Sequence, residues 1–170
     1  MPALRNAARV AAATALAGGL TMAGTATSAA DPNADLNTLA AALSKGYGLN
    51  NCTPQNPSSG ELAALTCGQS PDPAGPVQAK YVLFGDADNL AASFKASIKH
   101  DTLTACGDSG ESPTTWHQGS SDDNSGQLAC GTYQNAAEII WTTDAKNVLS
   151  YIRGSNTDVA ALYQWWRTNG

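Results

Sequence analysis

Gln127-Leu128-Ala129-Cys130-Gly131-Thr132-Tyr133, followed after four intervening residues by Glu138-Ile139-Ile140-Trp141-Thr142, is the part of the chain that decides its fold. Tyr133, Ile139, Ile140 and Trp141 are strong β formers, so the two segments read as neighbouring strands joined by a short connection. Upstream, Thr114–His117 is another β-favouring segment, separated from them by the polar turn Gly119–Gly126. Strands that come in runs, rather than alternating with helices, favour an antiparallel sheet.

Two more strands are predicted nearer the start, at Leu62–Cys67 and Val77–Phe84. Pro71-Asp72-Pro73-Ala74-Gly75-Pro76 lies between them and cannot sit inside a sheet. The run Tyr81-Val82-Leu83-Phe84 is apolar on both faces, which marks a central strand. Asn50–Gly60 reads as a loop by composition. Helices are expected around these strands. Leu36, Leu39, Leu43 and Tyr47 share one face of a helix over 34–47. Asp86 or Asp88 caps a second, carrying Leu90, Phe94 and Ile98 with Ala87 and Ala91 beside them, to about His100. A third is predicted from Asp144 to Ile152, ending at Gly154. A fourth starts near Thr157 and presents Val159, Leu162, Tyr163 and Trp166 on one face. The expectation is an α+β domain: an antiparallel sheet of about five strands with helices packed on it.

The chain has 170 residues, is 42% apolar and carries a net charge of -5. Such a composition excludes a wholly disordered protein, and the acidic balance disfavours nucleic acid or an anionic membrane as partner. Residues 1–30 read as a secretory signal peptide: Arg5 and Arg9, an apolar run from Val10 to Leu20, and Ser28-Ala29-Ala30 before the expected cut. The apolar run is too short for a stable transmembrane span, so no stable membrane insertion is expected after cleavage. Cleavage leaves residues 31–170 as a single secreted domain. It removes two of the nine basic residues and none of the fourteen acidic ones, taking the net charge to -7. The expected location is extracellular or in the cell envelope.

Cys52, Cys67, Cys106 and Cys130 all fall in this secreted part, and an even number of cysteines in an exported protein implies disulfides. Four cysteines allow three pairings. The sequential one, Cys52–Cys67 and Cys106–Cys130, closes two loops rich in Gly, Pro, Ser and Asn and is the expected one. Each bridge then contributes about 3 kcal/mol by loop entropy. The spacing lacks the tight pairs of a zinc site and the Cys-x-x-Cys of a redox centre.

Gly107-Asp108-Ser109-Gly110 resembles the nucleophile segment of trypsin-like proteases. However, Glu111 stands where those enzymes have Gly, and neither His100 nor His117 lies in the sequence context of their base. A small envelope hydrolase using Ser109 and His117 is the alternative functional reading. His100 at a helix end suits a dipole partner, and His117 follows Trp116 on a strand. Asp86-x-Asp88-Asn89 lacks the rest of a calcium loop and reads as a helix cap. No metal or cofactor is implied. Of the four tryptophans, Trp141 belongs to the core. Trp165 and Trp166 point about 100° apart on one helix, so one of them can line a groove, although core preference favours burying most of both. Trp116, His117, Trp165 and Trp166 are therefore the candidate binding residues.

Several ordered landmarks carry a family resemblance: Tyr81-Val82-Leu83-Phe84, Pro113-Thr114-Thr115-Trp116, Gly126-Gln127-Leu128-Ala129-Cys130, Ile140-Trp141-Thr142-Thr143-Asp144 and Leu162-Tyr163-Gln164-Trp165-Trp166. Over roughly Cys67–Trp166 the chain resembles the extracellular C-terminal domain of actinobacterial, mycobacterial-type membrane serine/threonine kinases and its stand-alone secreted relatives. The kinase itself is absent, with no Gly-rich loop, His-Arg-Asp or Asp-Phe-Gly signature. The resemblance implies a non-catalytic binding or sensor-like module of the cell envelope, acting on an envelope ligand or protein, and brings no catalytic residues with it. A surface interaction protein is a further alternative.

Overall fold

The computed structural model describes residues 31–170. The signal peptide expected over residues 1–30 lies outside the described residues. A helix, α1 (Pro32–Ala40), opens the described chain, capped by the Asp31 carboxylate, which accepts from the Asn33 amide. It stops well short of residue 47, yet Leu43 and Tyr47 still pack on the core. Then follow β1 (Cys52–Gln55), β2 (Glu61–Cys67), β3 (Gln78–Phe84) and α2 (Ala87–Ser97), which runs into a tight turn over Ile98–His100. β4 (Thr102–Leu103), β5 (Thr114–His117), β6 (Asn124–Tyr133), β7 (Ala136–Thr143), β8 (Val148–Arg153) and α3 (Val159–Asn169) complete it.

The strands form one antiparallel sheet of eight, in the order β1-β2-β3-β8-β7-β6. The outer edge of β6 is shared by β4, at Gly131 and Thr132, and by β5, along Asn124–Leu128. The expectation of about five strands therefore falls short by β1, β4 and β8. β1 sits in the segment read as a loop and exists through its pairing with β2, where Cys52 lies opposite Cys67. β4 is two residues long and leaves no periodic signal. β8 is the substantive correction. The helix expected over 144–152 is only a 3-10 turn at Asp144–Lys146, after which Asn147 enters the left-handed region at φ 52° and the chain returns as a strand. Val148, Leu149, Ser150 and Ile152 are all buried, because β8 lies between β3 and β7 with both faces covered. A strand buried on two faces loses the alternation that would distinguish it from a helix.

The β6–β7 hairpin turns on Gln134 and Asn135, both at positive φ (48° and 62°), the geometry of a two-residue turn whose twist matches the sheet. At Gly131 a Cβ would lie 2.6 Å from the Thr102 carbonyl oxygen, so the close approach of β4 to β6 needs glycine there.

The sheet has two unlike faces. On the first, α1 and α3 cover Leu65, Tyr81, Ile139, Trp141 and Ile152, and both disulfides lie in this layer. Aromatic rings meet edge to face through it in succession: Tyr47 on Tyr81, Tyr81 on Trp141, Trp141 on Trp166 and Trp166 on Trp116. On the second face α2 is the only helix among the described residues. Its Leu90 and Phe94 cover Ala64, Val82, Ala129, Ile140 and Leu149. Bonds join Cys52 to Cys67 and Cys106 to Cys130, and no cysteine is free. Among the described residues no helix is long and apolar enough to cross a membrane.

Candidate functional site

α2 starts where the Asp86 carboxylate accepts from the Asn89 amide (2.8 Å) and side-chain nitrogen (2.7 Å). It packs on β3, β8 and β7, and near its far end the Ser97 hydroxyl meets the Tyr151 hydroxyl. One side of this helix is spent on Leu90 and Phe94. Beside that stripe stand Ala87 and Ala91, which are too small to fill the space against the sheet. The result is a groove of about 510 Å³, walled by Ala87, Ala91, Phe94 and Ile98 of α2 and closed opposite by Pro113, Gln127 and Thr142. Its volume lies within the range of small-molecule sites. Asp88, Lys95 and Asp144 are the charged side chains along it.

Thr142 organises the floor. Its hydroxyl accepts from the Gln127 amide (2.8 Å) and donates to the Asp144 carboxylate (2.6 Å), while its carbonyl accepts from the Trp116 indole (2.7 Å). These bonds fix Asp144 at the mouth of the groove, with one carboxylate oxygen engaged.

A second, smaller cleft of about 150 Å³ lies on the same face, lined by Gln78, Lys80, Glu138, Tyr151 and Arg153. Arg153 is held in place by donating to the Tyr133 carbonyl (3.0 Å), with its guanidinium 5.7 Å from the Tyr133 ring centre. The half-buried Glu138 carboxyl is pushed up to about 7, chiefly by burial and further by the nearby Asp101 carboxylate, with Arg153 opposing. Burial likewise raises Asp101, against Arg153 and His100. The Tyr151 hydroxyl is raised mainly by burial, against its bond to Ser97.

The sequence-predicted site residues fall elsewhere. Trp165 and Trp166, each 6% exposed, are core residues of the first face, so neither edges the groove beside α2. The Trp165 indole donates to Asp72 (3.0 Å) and pins the proline-rich 71–76 loop to α3. Trp116 is half-buried, with its ring on Trp166 and its N–H on Thr142. Three of the predicted residues thus meet in a packed layer, for a plain reason: large aromatic area is worth most when removed from water. His117 is exposed, with Nδ1 3.0 Å from the Asp123 carbonyl oxygen at the neck of the 118–123 loop. Ser109 lies in a 3-10 turn beside Cys106. Its hydroxyl donates to the Glu111 carbonyl (3.0 Å) and accepts from the Glu111 amide (3.4 Å). Both bonds are local and tighten the turn.

Ala87, Ala91, Gln127, Thr142 and Asp144 are not among the candidate binding residues that the sequence suggests. The one available signal was the pair of alanines flanking the Leu90-Phe94-Ile98 stripe, since small residues beside a core stripe leave room. Among the described residues no group of three or more His, Cys, Asp or Glu is gathered to hold a metal ion. No family model matches the chain, and no curated protein or solved structure matches it either.

Proposed function

We propose that this chain is an exported, non-catalytic binding module of the cell envelope, sensor-like in the manner of the kinase extracellular domains it resembles. Its ligand is small and apolar-bodied and lies in the groove beside α2. The groove is the observation that carries this reading: mainly apolar helix residues form one wall, Pro113, Gln127 and Thr142 stand opposite, and Asp88, Lys95 and Asp144 are the charged groups along it. Two disulfides and the absence, among the described residues, of a membrane-spanning helix fit an extracellular protein.

The test is a titration of the isotopically labelled protein with 1-octanol, followed by amide NMR. The expected result is saturable shifts confined to residues 87–98, 127 and 142–144. Shifts scattered over the surface, or confined to the Trp165–Trp166 layer, overturn it. Recovery of the released protein with Asp31 at its N-terminus tests export in the same preparation.

A further inference from the structure

Resting on that reading, we infer that the groove selects an amphipathic cation, with an aliphatic body along Leu90, Phe94 and Ile98 and a positive head group between Asp88 and Asp144. The charges around the groove are not evenly spread. Asp88 lies in the first turn of α2, and Asp144 follows β7 directly. The Phe84 amide donates to the Asn147 carbonyl (2.9 Å), which brings the 144–147 turn alongside the segment that enters α2. Both carboxylates therefore stand at the same end of the groove.

Each is prepared for a cation. Asp144 is oriented by the Thr142 hydroxyl and keeps acceptor capacity free (2.6 Å). Asp88 faces the partial positive charge of the helix start, but that charge is about half a unit and is already met by the Asp86 cap. Hydrogen bonds from Asn89 hold the Asp86 carboxyl below its usual range, which keeps that cap negative. Lys95, the basic residue of the lining, is seven residues further along the helix, about 10 Å at the helical rise. That distance is close to a Debye length in physiological salt, so Lys95 repels the head group weakly. The excess of acidic over basic residues in the chain adds a general attraction for cations.

The experiment compares three eight-carbon probes of one shape: octylamine, 1-octanol and octanoate, each below its aggregation concentration, against the labelled protein. Octylamine is expected to shift the groove amides with an affinity about five- to tenfold above that of octanol, with octanoate weakest. Asp88→Asn and Asp144→Asn each reduce the amine preference, and raising the salt concentration reduces it too. Asp88 is exposed on the helix surface, so Asp88→Asn serves as the test even if Asp144→Asn disturbs the turn. Equal affinities for octylamine and octanol overturn the cation inference while leaving the groove in place. Tighter binding of octanoate overturns it outright. Failure of all three probes to shift the groove amides removes the groove reading and this inference together.

Discussion

The two faces of the sheet are built from the same strands and differ in how much they hide. Among the described residues the first layer buries nineteen apolar residues, four of them on its two helices, with both disulfides in the layer. The second buries eight, two of them on its one helix. A single helix about 10 Å across cannot cover a sheet of eight strands. What it leaves open on one side is the apolar groove, and on the same face lies the polar cleft around Glu138. Burial is concentrated on one side of the molecule and open clefts on the other.

This contrast is broken most directly by Trp141→Ala. Trp141 is 3% exposed and packs edge to face on Tyr81 and Trp166, so the expected loss is about 4 kcal/mol. Chemical denaturation measures it, and a loss below about 1 kcal/mol would mean that the first face is not the stabilising one. Replacing Cys106 and Cys130 together by serine comes next, at about 3 kcal/mol, because that bond closes a loop of 24 residues. A denaturation midpoint unchanged from the parent would show that the cross-link contributes nothing to this face.

Glu138→Gln acts on the second face with the opposite sign. The folded-state pKa of Glu138 is about 7, against 4.5 for a free glutamate, so its contribution is fully present below pH 4.5 and is lost as the pH rises to 7. Glutamine removes that loss. The variant is expected to be more stable than the parent at pH 8, by on the order of 1 kcal/mol after allowing for solvent screening. It should show a flatter stability profile between pH 4.5 and 7. A variant less stable at pH 8 would mean that the charged carboxylate is favourably paired. The smallest effect on stability is expected from Ala91→Trp, within about 0.5 kcal/mol because the position is exposed. The same substitution fills the groove and should abolish probe binding. Retained binding would place the ligand elsewhere.

How much of this architecture is legible in the sequence depends on whether a segment's surroundings are one-sided. β2, β3, β5, the β6–β7 pair, an aspartate cap on α2 (Asp86 or Asp88, of which Asp86 is the one observed) and the aromatic face of α3 announce themselves, because local preference and final environment agree. β8 does not, since Val148–Ile152 is enclosed on both faces and its pattern fits a helix equally well. β1 depends on a partner strand fifteen residues away, opposite Cys67. The candidate site is harder still. Trp165 and Trp166 draw attention by their size, and size is what the core takes. A groove, by contrast, is made of missing volume, here the short side chains at Ala87 and Ala91, and a missing group has no letter in a sequence.

Thr142 belongs to both halves of the molecule, its carbonyl on the Trp116 indole and its hydroxyl on Asp144. Occupancy at the mouth of the groove is therefore one residue away from a half-buried chromophore. A titration is therefore expected to change the intrinsic tryptophan emission, to which Trp116 contributes together with Trp141, Trp165 and Trp166.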